Sequence, residues 1–559
     1  MQMKRIDITA PARALPHMPK IRLVHDWFDR TVLDLGRQMR WSYLPPLMVY
    51  FAAGVSGLTS IVGTFFVKEQ LGLSAAFLAG LAFWTGIPWA LKMPLGHLVD
   101  LIWRWKALMV WLGAALIAAS IAVMYLLITH QAAMAAILDI EAWYVISTIL
   151  APVGYVLQDV VADAMTVEAV PVRDEQGRPR PEAEVKTMHT TMQTLGRIAI
   201  IGGTLAVALV NVVVFSGIDA MSAADKIAAY ADIYALAMII PLLSVIGVML
   251  AALVRSRRAR ALRRAGVPAM EIARVLDAHL DPVHPDWRIL GGGLAFVAFT
   301  LGLGLARVPA DQEIIFVGSM AIVIYLMHRL LQELSSEQRR ALVGTAIIIF
   351  VFRATPSAGA GVSWWQIDVL GFDQQFLSVL TFITAALTLV GMLVLRPMMA
   401  NHSNAWIIVL LSIAAGILAL PIIGLYYGLH HWTAALTGGI VDARFIAMLD
   451  TAIESPLGQV AMIPMLAWIA RNAPLQHKAT FFAVMASFTN LALAASSLGT
   501  RYLNQIFVVH REVRVNDVVT VPADYSSLGW LLIATTLITV LVPILVTFLI
   551  QRSPLRTMQ

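Results

Sequence analysis

Long apolar windows separated by shorter polar stretches succeed one another along the chain. They begin near Leu44, Ala75, Ala107, Ala142, His189, Tyr230, Ile289, Gln312, Ala341, Phe376, Ala405, Val441, Ala479 and Ser526. At about 1.5 Å per helical residue, each is long enough to cross the hydrocarbon of a bilayer. Fourteen candidate spans result, and the shortest, Ile289 to Ala306, is glycine-rich. The pattern predicts an all-α polytopic membrane protein. Composition agrees: 59% of the 559 residues are hydrophobic and 13% charged, against roughly 45–50% and about 25% in soluble domains. A soluble globular protein is excluded.

The polar stretches carry most of the 40 Lys and Arg residues, and their uneven distribution sets topology. Residues 1–43 form a polar tail holding Lys4, Arg5, Arg13, Lys20, Arg22, Arg30, Arg37 and Arg40, without the pattern of a cleavable leader. Residues 255–288 read as a basic loop, with Arg255, Arg257, Arg258, Arg260, Arg263 and Arg264 as a solvated topology signal. Contact with anionic lipid is the sharper alternative. Both ends of the chain are expected in the cytoplasm, with residues 552–559 as a C-terminal tail. The expected location is a bacterial inner membrane. The net charge of +6 is spread over these loops, which gives nucleic acid no basic domain to recognise.

Internal repetition points to a transporter architecture. Leu71-Gly72-Leu73-Ser74-Ala75-Ala76-Phe77-Leu78 returns as Leu370-Gly371-Phe372-Asp373-Gln374-Gln375-Phe376-Leu377, and Asp159 and Asp163 return as Asp450 and Glu454. The expected organisation is a six-helix bundle over 44–254, the basic loop, an extra transmembrane hairpin over 289–332, and a second six-helix bundle over 341–551.

A charge at the bilayer centre costs about 2.5–3.5 kcal/mol on insertion scales, so charges that remain face an aqueous path or one another. On the acidic side these are Asp159, Asp163, Glu168, Asp450 and Glu454; on the basic side, Lys92, Arg197, Arg329, Arg353, Arg444 and Arg501. Each acidic pair is spaced by four, which puts it on one helix face, where two like charges can hold a proton. Proton coupling, gripping an amine-bearing substrate, and pairing with Arg197, Arg353 or Arg444 are the readings this leaves. Glu168 reads as an interfacial gate charge. Gly96 and Asp100, followed by Arg104 and Lys106, form a glycine, aspartate and basic-residue pattern of the kind found in the major facilitator superfamily. It sits on the loop after the second span, where glycine would permit close helix approach and the charges would latch the cytoplasmic side. Trp84 and Trp89 flank Pro88 near Lys92, and could stack on a flat heterocycle or pack in the core. Cysteine is absent, and neither a phosphate-binding loop nor metal-ligand spacing occurs, so no enzyme, cofactor or metal is expected.

Taken in order, these motifs resemble the folate-biopterin transporter family, a branch of the major facilitator superfamily, from about Val49 to Leu503. The resemblance rests on Ile87-Pro88-Trp89 through Lys92, Gly96 and Asp100; the run from Asp159 to Glu168; and Gln193 through Arg197 to Gly202-Gly203. In the second half it rests on Ala354-Thr355-Pro356-Ser357, Leu370-Gly371-Phe372 with Phe376-Leu377, and Leu457-Gly458-Gln459 with Pro464. It implies alternating-access transport of folates, pterins or related organic anions, commonly coupled to protons. Trp84, Trp89, Lys92, Gln193, Arg197 and Arg353 would then meet substrate, and Asp159, Asp163, Asp450 or Glu454 would carry the proton. A monomer in the bilayer is expected. The hairpin, and Lys478-Ala479-Thr480 where the pattern expects an acidic residue and glycine, depart from the family. A carrier of another bulky anion, such as a muropeptide or acyl-nucleotide, is an alternative. A non-transporting pigment-assembly factor is another, although His97, His328, His402, His430 and His431 lie in loops or at span ends.

Overall fold

The computed structural model describes residues 34–556, apart from 72, 172–179, 277–284, 286, 307, 333–334, 396–401, 458–477 and 516–517. The first group of helices is α1 (Trp41–Phe66), α2 (Ala75–Val99), α3 (Lys106–Thr129), α4 (Ile140–Ala169), α5 (Glu182–Val214) and α6 (Ala224–Arg264). A hairpin follows, made of α7 (Trp287–Ala306) and α8 (Asp311–Leu331). The second group is α9 (Ser336–Arg353), α10 (Ala360–Asp368), α11 (Gln374–Val394), α12 (Asn404–Tyr426), α13 (Ala443–Glu454), α14 (Lys478–Ile506) and α15 (Leu528–Gln551). A short antiparallel pair, β1 (Val513–Val515) and β2 (Val518–Val521), joins α14 to α15.

Each of the fourteen apolar windows begins at or beside a described helix, and the one from Val441 continues into residues 458–477, outside the described residues. Among the described residues, nine helices, α1–α6, α11, α12 and α15, are long and apolar enough to cross a membrane. The others are shorter in apolar extent or interrupted by polar side chains, as α9 is by Arg339 and Arg340.

The repeated segment recurs as local structure. Ser74 accepts a hydrogen bond from the Phe77 N–H at 3.0 Å and caps α2; Asp373 accepts from the Phe376 N–H at 2.7 Å and caps α11. Two expected loops prove helical. The basic segment continues α6 to Arg264, because Arg, Ala and Leu are strong helix formers. It stops where the Val267 N–H reaches the Leu262 carbonyl and the Gly266 N–H the Arg263 carbonyl, with Gly266 at φ +80°. Residues after Lys92 likewise stay helical through Leu101. Gly96 corrects an expectation too: a Cβ there would meet nothing within 4 Å, so it serves no close helix approach.

The two groups meet along two seams, α2 against α14 and α5 against α11. The hairpin lies on the first. Gln312, buried at 7% exposure, donates from Nε2 to the Gly80 carbonyl of α2 at 3.2 Å and accepts at Oε1 from Arg501 of α14 at 2.9 Å. Tyr502 donates to Glu313 beside it. Phe83 and Ile87 of α2, Phe296 and Ile315 of the hairpin, and Ala494 and Leu498 of α14 form one apolar cluster.

At the end carrying the β-hairpin, the groups are clamped by charge. Lys68, just after α1, pairs with Asp368, which ends α10 and also accepts from the Tyr525 hydroxyl. Arg511 donates to the Val67 carbonyl at 2.6 Å. Burial pushes the Tyr525 phenol well above its ordinary pKa, reinforced by the Asp368 carboxylate that takes its hydrogen bond. Burial lowers that of Arg511, with Asp368 and Tyr525 acting the other way.

Inside the first group α3 and α4 meet backbone to backbone: a Cβ on Gly113 of α3 would stand 2.6 Å from the Gly154 carbonyl of α4, and the converse holds at the same distance. Gly113→Ala is therefore expected to lower the melting temperature of purified protein by several degrees and Gly96→Ala to leave it unchanged, as read by thermal-shift assay.

Candidate substrate and coupling site

Four helices bring five polar side chains together in the interior of the first group. The spacing of four places Asp159 and Asp163 on one face of α4, one turn apart. Lys92 follows directly on the turn at Leu91 that Pro88 introduces into α2. Its Nζ stands 2.6 Å from Asp159 Oδ2 and 2.7 Å from Asp163 Oδ2. Tyr50 of α1, 5% exposed, donates its hydroxyl to Asp163 Oδ1 at 2.6 Å. A glycine lets α5 close on that ring, since a Cβ at Gly196 would lie 2.9 Å from it. Arg197, next in α5, is near enough for its charge to act on both Asp159 and Tyr50.

The charges balance: Lys92 and Arg197 against Asp159 and Asp163. Such a set is stable away from water only while each charge keeps its partner. Arg353, at the end of α9 in the second group, is close enough to Arg197 for the two cations to repel. An anion between them would relieve that repulsion. Gln193, one turn before Arg197, donates to Thr166 Oγ1 at 3.3 Å.

A family model described as the BT1 family matches residues 53–557. The chain belongs to the BT1 family. A folate-biopterin transporter of Synechocystis sp. is 22% identical over 475 residues, covering 83% of this chain and 75% of the relative. Among solved structures, a POT family transporter in complex with 5-aminolevulinic acid superposes with a TM-score of 0.52 at 12% identity, over 93% of this chain and 95% of that one. A peptide transporter, POT, in complex with alafosfalin gives 0.51 at 15% identity, over 92% and 94%. These likenesses establish the fold, an all-α major facilitator-type bundle. With its BT1 family the chain takes the class of multi-pass membrane transporter, not enzyme.

The remaining expected residues of this BT1 transporter are scattered. Trp84 packs in the hairpin cluster, where a Cβ on Gly304 of α7 would stand 2.7 Å from its ring. Trp89 packs beside Val99, Val110, Val156 and Val160 in the core of the first group, and its carbonyl accepts from Asn490 of α14 at 3.3 Å. Both indoles are thus engaged by protein. Asp450 and Glu454 lie four apart on α13; Asp450 Oδ1 is buried with no hydrogen-bond partner among the described residues. Arg444 turns instead to Asp373 Oδ2 at 2.7 Å and the Gly371 carbonyl at 3.0 Å. Glu168 pairs with Lys106 at 2.9 Å and Arg255 at 3.2 Å, tying the start of α3 to α6 within the first group. The side chains of Asp100 and Arg104 lie outside the described residues.

Tyr50 escaped the sequence reading because it carries no charge. The available signal was a hydroxyl in the middle of the first apolar window, where it needs a partner. Glu168→Gln is expected to weaken the tie to Lys106 and Arg255 and to raise protease access near Arg255, read by limited proteolysis of reconstituted protein.

Proposed function

We propose that this BT1 transporter is a proton-coupled symporter of a folate- or pterin-like organic anion, working as a monomer by alternating access in a bacterial inner membrane with both termini cytoplasmic. The carrying observation is the balanced set of Lys92, Arg197, Asp159 and Asp163, next to Arg353 from the other group. A substrate carboxylate that pairs with Arg197 withdraws one positive charge from the set. The excess negative charge is then relieved by a proton on the Asp pair, so anion and proton load together. Loaded, the site is neutral and can be carried between the two faces; half-loaded, it holds an uncompensated charge that disfavours closure. The folate-like class comes from the Synechocystis relative, whose description is that of a folate-biopterin transporter, and from the motif resemblance. Asp450 and Glu454 belong to the same reading as a second acidic pair.

The test is uptake of radiolabelled folic acid into proteoliposomes. An inward proton gradient is expected to drive accumulation, a protonophore to collapse it, and excess unlabelled pterin to compete. Uptake indifferent to the gradient sinks the coupling; competition by a muropeptide or acyl-nucleotide but not by folate or pterin sinks the substrate class.

A further inference from the structure

The two carboxylates around Lys92 are not equivalent. Asp163 has a donor on each oxygen, the Tyr50 hydroxyl on Oδ1 at 2.6 Å and Lys92 Nζ on Oδ2 at 2.7 Å. Asp159 has Lys92 on Oδ2 at 2.6 Å, and its Oδ1 has no donor among the described residues. A proton on either oxygen of Asp163 would occupy the lone pair beside a donor already in place and weaken the bond that oxygen accepts. A proton added to Asp159 Oδ1 displaces nothing. Tyr50 cannot readily turn away, because its ring is buried at 5% exposure and α5 closes on it at Gly196.

Among the described residues, the other charged and titratable groups on the elements around the pair make no hydrogen bond or ion pair to either carboxylate. Arg197 of α5 is near enough for its charge to act on Asp159, and Arg353 of α9 is near enough to feel the charge of Arg197. At the start of α3, Lys106 is engaged with Glu168, as is Arg255 of α6. The Tyr50 hydroxyl is thus the hydrogen-bond donor that Asp163 has and Asp159 lacks, alongside a difference in side-chain exposure, 20% for Asp159 and 40% for Asp163.

We propose that Tyr50 is a positioning residue that holds Asp163 as the standing anchor of Lys92, leaving Asp159 Oδ1 as the atom that takes up and gives back the proton. On protonation the Lys92 to Asp159 ion pair becomes an ordinary hydrogen bond while the Lys92 to Asp163 pair persists, so Lys92 keeps its place through the cycle. This rests on the proton-coupled reading above, and it divides the labour within it.

The test is pH-difference infrared spectroscopy on the full chain reconstituted in liposomes, following the carbonyl band of protonated carboxyl groups, with and without carbon-13 aspartate. It needs no substrate. An aspartate band is expected in the wild type, lost in Asp159→Asn and kept in Asp163→Asn and Asp450→Asn. If Asp159→Asn does not fold, Asp159→Glu gives the same information, because its titrating band loses sensitivity to the aspartate label. Tyr50→Phe, which removes one oxygen and keeps the ring, is expected to split the band and move its midpoint, as Asp163 becomes a second acceptor. A band that survives in Asp159→Asn and vanishes in Asp163→Asn overturns the assignment. So does a Tyr50→Phe titration that overlays the wild type. If folic acid uptake ignores the proton gradient while the band still maps to Asp159, the coupled function fails and the assignment of the proton stands.

Discussion

Replacing Lys92 by alanine is expected to abolish proton-driven uptake and to destabilise the folded chain. The variant leaves Asp159 and Asp163 one turn apart with Arg197 as the remaining cation nearby. Breaking a buried ion pair by removing one partner costs about 3–5 kcal/mol, because the abandoned charge stays buried. The Lys92 and Asp159 side chains are 18% and 20% exposed and that of Asp163 is 40% exposed, so solvent screens much of the charge left on Asp163 and the cost falls toward or below the lower end of this range. Lys92→Ala combined with Asp159→Asn restores the charge balance and is expected to recover most of the lost thermal stability without recovering accumulation against a gradient. Thermal unfolding and proteoliposome uptake read the two effects separately. Wild-type uptake by Lys92→Ala at normal membrane levels would remove Lys92 from the machinery.

The second large effect lies at the β-hairpin end. Asp368→Asn withdraws the charge that holds Lys68 and accepts from Tyr525. Hydrogen bonds to charged groups contribute about 1.5–3 kcal/mol each, so losing this one shifts the balance between closed and open forms of that end by about tenfold or more. The chain contains no cysteine, so spin labels can be placed on Ile137→Cys and Ile440→Cys, both exposed and on opposite groups. A longer-distance population is expected to grow in Asp368→Asn. The clamp should also hold across neutral pH. Because the Tyr525 pKa is raised in the folded protein, its contribution is complete below the ordinary tyrosine value of about 10 and is lost only as pH rises through the folded value. A distance distribution that changes between about pH 6 and 8 would contradict this.

The sequence was most legible where chemistry and periodicity coincide. Apolar windows located the helices because membrane-spanning backbone must satisfy its own hydrogen bonds, whatever its neighbours. The aspartate pair on α4 and Lys92 were found because charge in hydrocarbon is rare. Their union was not legible, since it depends on how α2 and α4 are rotated toward each other. The same limit explains Trp84 and Trp89: spacing put them near Lys92 along the chain, but which side of α2 faces the hairpin is decided by the glycine of α7 packed on Trp84. The helical continuation past Val254 was missed because arginine was read for its charge and not for its helix propensity. Glu168 was recognised as interfacial, while its two cationic partners come from α3 and α6, elements distant in sequence.

Gln312 gives the molecule a mechanical pin. Its single amide is bonded to α2 on one side and α14 on the other, so the hairpin acts as a rivet through one of the two seams. Among the described residues no side-chain hydrogen bond crosses between α5 and α11. Shear along α2 and α14 must break a bond at the rivet before any sliding starts, and beside the α5 and α11 seam Gln374 of α11 donates to the Tyr230 hydroxyl of α6 at 2.6 Å, so that edge too is held by one amide bond. Each edge between the two groups is therefore pinned by a buried glutamine, Gln312 through the hairpin on one side and Gln374 on the other, and any relative movement of the groups begins with the loss of an amide hydrogen bond.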